Sequence, residues 1–252
     1  MSSYPSSIPR IRQLTTGRRI ADWFAQHWFA FIVGALFLWT GLPFVAPLAM
    51  RWGWTGLATA IYFVYSLQCH QLPERSFFLF GSKPMYSLAE IQAAWVNTTN
   101  PLVLRQFIGN PAMGWKVAWS DRMVAMYTSI PLFALVYYPF RRRIRPLPIW
   151  AFVLMLVPVG VDGVTHMLSD VTAVANGSGF RDANLWLAKL TGNALPEWFY
   201  VGNALGSFNS WMRILSGVLF ALGLVWLSFP YLRAAMSVPA APAPAERSHA
   251  GR

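Results

Sequence analysis

Two pairs of side chains in this sequence sit four residues apart: Ser66 with His70, and Asp162 with His166. On a helix that spacing puts both members of a pair on one face. Imidazole and carboxylate are ligands for zinc or a similar divalent ion. His70, Asp162 and His166 therefore make a candidate metal set, with Cys69 or Ser66 beside it. The two histidines, on separate helices, are also the minimum for an axial pair on a haem. A third reading needs no cofactor: a histidine one turn from an aspartate pins a helix end or handles a proton. Cys69 precedes His70 directly, and neighbours on a helix diverge by about 100°, so adjacency alone makes no nucleophilic dyad. Gln71, Glu74 and Arg75 crowd the same stretch. Arg75, Arg122 and Arg213 all fall at the ends of apolar runs. Guanidinium groups converging there would hold a phosphate or carboxylate headgroup. The plainer alternatives are arginines that snorkel separately to the interface and, for Glu74 with Arg75, a surface ion pair worth little.

The elements that must position these groups are strongly apolar. The chain has 252 residues, 56% hydrophobic and 12% charged, with 13 Trp and 18 Phe. Soluble domains carry about twice that charged fraction. The fold class that follows is all-α, a polytopic membrane bundle. Apolar runs at about 28–50, 54–69, 122–140, 147–168 and 211–232 predict about five transmembrane helices, the second of them short against a hydrocarbon core of roughly 30 Å. Run length and Pro47 argue against a signal peptide at the first run. Asp162 interrupts the fourth run, and an ionisable group there costs about 2.5–3.5 kcal/mol on insertion scales. It is expected to be paired inside the protein, with His166 or Arg213. Two long connections, about 70–121 and 169–210, are rich in Trp, Phe and Leu. Within them Ser87–Val96 and Ala183–Leu190 read as short interfacial helices. The membrane domain is set at 23–233, between a basic, flexible segment over 1–22 and a disordered Ala/Pro-rich tail over 234–252.

The formal charge is +11, and the arginines cluster. Arg10, Arg12, Arg18 and Arg19 precede the first run, and Arg141, Arg142, Arg143 and Arg145 fill a short loop. Such clusters flank spans and contact anionic lipid headgroups. They make membrane lipids the expected partners and leave no polar basic domain for nucleic acid. The short loop predicts a cytoplasmic 141–145 segment. Five spans would then put the N-terminus outside, against its own basic charge. A single cysteine excludes an intrachain disulfide and a multi-cysteine metal site within the chain.

The segment "CHQLPERSFFLFG" (69–81) resembles the signature of an uncharacterised family of prokaryotic membrane proteins, domain of unknown function 2085. The family follows a similar segment with a Cys-x-Arg-Cys-type motif and Gly-Ile-Tyr. Here "SDRMVAMY" (120–127) keeps Arg122 and Tyr127, while Ser120 and Met123 replace the cysteines. Its Pro-x-x-x-Asp-Gly and Asn-x-x-x-Arg-x-x-Ser/Thr-Gly elements are similar to "PVGVDG" (158–163) and "NSWMRILSG" (209–217). The resemblance covers about 54–230, with an insertion near 84–118. It carries no activity. It implies that these four elements meet around one polar site, adding Tyr127 and Asn209 to the candidates above, and the missing cysteines weigh against a metal. The expected function is an interfacial pocket for a lipid or quinone-like headgroup. The alternative is a non-catalytic subunit packed among membrane protein partners. No reaction is selected by these residues.

Overall fold

The computed structural model describes residues 8–237, and the expectations for residues 1–7 and for the tail from 238 onward lie outside the described residues. In chain order the elements are α1 (Ile8–Arg51), α2 (Thr55–Ser66), β1 (Ser76–Leu79), α3 (Leu88–Ala94), α4 (Pro101–Leu104), β2 (Gly109–Asn110), β3 (Gly114–Ser120), α5 (Asp121–Phe140), α6 (Ile149–Asn176), α7 (Phe180–Ala183), α8 (Leu185–Leu190), α9 (Glu197–Tyr200) and α10 (Phe208–Met236). The protein is a helical membrane bundle. Helix α1 already runs through residues 8–22. α3 and α8 fall where the interfacial helices were expected, α3 being started by a capping box between Ser87 and Glu90.

Among the described residues, four helices are long and apolar enough to cross a membrane: Arg19–Arg51, Asp121–Phe140, Ile149–Val174 and Phe208–Met236. The fifth expected span is corrected. α2 has 12 residues, about 18 Å of helix, too short for a hydrocarbon core of roughly 30 Å. It turns over at Leu67–Cys69 and folds back on the end of α1.

An even number of crossings changes the arrangement of charge. Trp28 meets Phe229 with ring centroids 6.0 Å apart, and Phe29 meets Tyr138 at 4.4 Å. The early part of α1 therefore lies beside the ends of α5 and α10. Trp226 Nε1 donates to Arg145 O at 3.0 Å, and Arg233 donates to the carbonyl of Arg141. The 141–145 arginines, Arg233 and the Arg18–Arg19 end of α1 thus share one end of the bundle. The conflict between the basic N-terminus and the basic loop disappears.

At the opposite end the chain builds a cap. Strands β1, β3 and β2 form a three-stranded antiparallel sheet in that order. This sheet is absent from the all-helical expectation. β3 is covered on both faces: Val117, Ala118 and Trp119 are 0% exposed and pack on Ala46, Ala49, Ile61 and Tyr65 from α1 and α2. A second core of Trp28, Ile130, Ala134, Tyr137, Ala221, Val225 and Phe229 joins α1, α5 and α10 within the membrane. α10 presses closely on α5. A side chain at Gly217 would lie 3.0 Å from Met126 N and 3.1 Å from Arg122 O, so the absence of one lets the two helices pack closely here.

Lys116 is the polar member of β3 and is 0% exposed. Its Nζ donates to Gln71 O and Arg105 O, each at 2.7 Å, tying the "CHQ" loop and the segment after α4 to the sheet. Burial pushes the Lys116 ammonium down to about 7.

Two predictions follow from this architecture. In a Cys69→Ser background, single cysteines at Arg143 and Trp23 label from one side of the membrane and a cysteine at Leu187 labels from the other. Labelling of 143 and 187 from the same side contradicts the four-span path. The second concerns Lys116. Between pH 7 and 9.5 the unfolded chain holds more protons on this lysine than the native one, so its penalty to folding shrinks as pH rises. Thermal stability of the wild type in detergent gains more over that window than that of Lys116→Met. Parallel profiles would mean that Lys116 stays fully charged in the native state.

Candidate functional site

α5 begins on an acid and α10 carries a base in its second turn; they meet. Arg213 Nε donates to Asp121 Oδ1 at 2.6 Å and Nη2 donates to Oδ2 at 2.7 Å. Arg213 is 1% exposed and Asp121 0%. The remaining capacity of both is filled. Ser210 Oγ and the Arg122 backbone N–H donate to Asp121, while Arg213 donates to Asn203 Oδ1 and to Asn203 O. A buried ion pair is tolerable only with such geometry and with its other hydrogen bonds satisfied.

Asp162, at about 20 Å along α6 from Ile149, has a separate set of partners. Arg122 Nη2 donates to Oδ2 at 2.7 Å and Arg181 Nη1 to Oδ1 at 2.9 Å. His166 Nδ1 lies 3.3 Å from Oδ1 and 3.1 Å from the Asp162 carbonyl, and its Nε2 lies 3.3 Å from Arg213 Nη1. Both histidine contacts are hydrogen bonds only if the proton is on Nδ1, leaving Nε2 to accept from Arg213. His166 thus bridges the two ion pairs. Arg181 is placed by Asn209, whose Oδ1 accepts from Nε at 3.0 Å and whose Nδ2 donates to Arg181 O at 2.7 Å. Asn209 and Arg213, one turn apart on α10, therefore each serve one pair.

The "CHQLPER" stretch forms the facing wall. Cys69 Sγ accepts from the N–H of Gln71 and of Ser120, which joins the loop to the end of β3. Gln71 takes φ +53°, a left-handed conformation unusual for this residue, and is held there by its amide on Tyr62 O at 2.8 Å and by Lys116 on its own carbonyl. Arg75 then reaches Asp170 of α6 with two bonds, at 2.6 and 3.1 Å. Between these walls is a cavity of about 450 Å³. Cys69, His70, Gln71, Arg75, Arg122, His166 and Arg213 all line it, together with Asp170.

The other expected residues lie elsewhere. Asp162 stands behind Arg122 and His166, and Asn209 behind Arg181. Ser66 donates to Phe63 O within α2, at 2.7 Å. Tyr127 packs on Trp119, centroid to centroid 5.1 Å. Glu74 is buried beneath the loop, with one oxygen unpartnered and its carboxyl pushed up by burial.

Two sequence expectations need correction. Asp162 is not the partner of Arg213; its guanidinium partners are Arg122 and Arg181, and Arg213 belongs to Asp121. The His70, Asp162 and His166 set does not form a metal centre either. Among the described residues no three His, Cys, Asp or Glu side chains are grouped to hold an ion. The Asp162 oxygens are taken by two cations, and the free lone pair of His166 is used by a third. Sequence reasoning missed Asp121, Asp170 and Arg181. The first two were accessible: the chain has only 9 acids, and acids at the ends of apolar runs need counter-ions. Arg181 had no such signal, because only the fold brings its connection back against α6.

Residues 111–227 match the family model described as "Predicted membrane protein (DUF2085)". That segment holds the second, third and fourth motifs and begins after "CHQLPER". An "Uncharacterized protein MJ1492" of Methanocaldococcus jannaschii is 28% identical over 118 residues, which is 46% of this chain and 54% of that protein. The chain thus spans about half the length of the curated relative it matches. No solved structure matches the chain.

The pairing makes a testable statement. Arg213→Met and Asp121→Leu each leave a buried charge uncompensated, and each lowers unfolding stability in detergent by about 3–5 kcal/mol. The double variant recovers most of that loss. The coupling between Asp121 and Arg213 exceeds that between Asp162 and Arg213, measured in parallel with Asp162→Asn. The opposite ranking would refute the assignment of partners.

Proposed function

We propose that this membrane protein binds the anionic headgroup of a membrane amphiphile in the 450 Å³ cavity. The observation that carries the reading is a surplus of cationic donors. Arg75, Arg122, Arg181 and Arg213 stand against Asp121, Asp162 and Asp170. Arg75 Nε and Arg122 Nε are buried with no acceptor, and both side chains line the cavity. A purely structural cluster accounts for the ion pairs but leaves those N–H groups unexplained, each costing about 1–3 kcal/mol. A phosphate or carboxylate is the natural acceptor for guanidinium groups. His70, exposed at the cavity wall, stands beside them.

The positive-inside rule supports a cytoplasmic position for the basic end, with the 141–145 loop, in a prokaryotic cell membrane. The cavity then opens on the outer side and draws its ligand from the outer leaflet. The headgroup site requires no particular reaction.

The test uses protein in nanodiscs with short-chain phosphatidylglycerol and phosphatidylcholine as probes. Phosphatidylglycerol binds in preference, and Arg75→Gln weakens it about tenfold or more, the loss of one charge-assisted bond of roughly 1.5–3 kcal/mol. His70→Ala has a smaller effect. Equal affinity for the two lipids, or unchanged binding in a folded Arg75→Gln variant, overturns the proposal.

A further inference from the structure

On the other side of Asp162 is a second cavity, of about 570 Å³, between α6 and α10. Nearer the basic end these helices touch: a side chain at Gly223 would meet Phe152 Cδ2 at 3.1 Å and Met155 Sδ at 3.2 Å. Beyond that contact the cavity is lined by Pro158 and Val161 of α6 and by Met212, Leu215 and Leu219 of α10. Phe180, Trp186 and Phe208 line the end away from the basic pole. The rim faces outward, with Val161 57%, Leu215 52% and Trp186 50% exposed. Val161 and Leu215 belong to membrane-crossing helices, so the cavity opens sideways into hydrocarbon.

One group in this apolar groove requires a polar partner. Arg181 lines the groove with a side chain only 8% exposed. Its Nη1 serves Asp162 and Thr165 and its Nε serves Asn209, but Nη2 is buried with no acceptor. An unmet donor at membrane depth is costly, since no water is at hand to satisfy it.

We infer that this groove binds one acyl chain of a bilayer phospholipid, with the ester carbonyl of that chain accepting from Arg181 Nη2. Three features select this occupant. The groove opens to the lipid phase, where acyl chains are the bulk solvent. Its walls are aliphatic and aromatic, and its volume lies within the roughly 300–1,000 Å³ of small-molecule sites. Its single surplus donor calls for one acceptor, which the ester carbonyl of an acyl chain supplies. The site is distinct from the anionic headgroup site, and its occupancy does not depend on headgroup charge.

Native mass spectrometry of the full chain, exchanged from phosphatidylcholine nanodiscs into mild detergent, tests the inference. The wild type retains one phospholipid. Val161→Trp and Leu215→Trp fill the groove while keeping Asp162 and Arg181 in the chain, and lower the retained fraction about tenfold. Leu154→Trp, on α6 but outside the groove, retains lipid like the wild type. Adding phosphatidylcholine back raises the melting temperature of the wild type and not of the filled variants. Equal retention in filled and control variants overturns the proposal. So does a wild type that holds no lipid, or one that holds a fatty acid or quinone instead. Failure of anionic selectivity in the headgroup assay would leave this result unaffected.

Discussion

An arginine that is 1% exposed near the head of a membrane helix must have an anion that is buried equally well. Arg213 obtains it from Asp121, and much of the site follows from that requirement. α5 has to begin where β3 ends, so that Asp121 is delivered at the right height. Gly217, with no side chain, lets α10 approach α5 closely. His166 has to keep its proton on Nδ1, because its other nitrogen faces an arginine. Asp162 then takes its cations from Arg122 and Arg181, which pulls the connection after α6 back onto the bundle. The fold is held at this end by a few directional contacts and at the other by the aromatic core around Trp28 and Phe229.

The helical membrane class was legible in composition and run length, and so were the short helices of the two long connections, because these rest on local pattern. The fifth span was misread because an apolar run and a spanning helix look alike until the chain is seen to turn at Leu67–Cys69. The sheet was illegible for a related reason. β3 is buried on both faces, so "GWKVAWS" shows no clean alternation between a dry and a wet side. Its one charged residue, Lys116, is as enclosed as the apolar residues beside it. Much of the expected polar site does converge on one cavity: Cys69, His70, Gln71, Arg75, Arg122, His166 and Arg213. What could not be read was who pairs with whom. Sequence spacing fixes faces within a helix, as for Asp162 with His166, but pairing between helices depends on their relative height, which only packing sets.

The cap explains why so dense a set of polar groups follows α2. Cys69, Gln71 and Lys116 fix one loop against one strand. A rigid loop matters because Arg75 must span from it to Asp170 on another helix. Strain at Gln71 is stored where the surrounding bonds over-determine it. The network around Asp162 is likewise a partition, with a polar chamber on one side and an apolar groove on the other.

The location of the Arg122–Asp162 pair also bears on how the chain is made. Both residues lie in the hairpin formed by α5, the arginine-rich turn and α6, so each charge enters the translocon with its counter-ion only one helix away. The hairpin can therefore leave for the lipid before α10 has been synthesised, carrying Asp162 already neutralised. Asp121 has no such provision. Its partner lies on α10, so its charge is compensated only once Arg213 has been made. Biogenesis is thereby ordered by charge: the hairpin commits first, and α10 locks the bundle from behind.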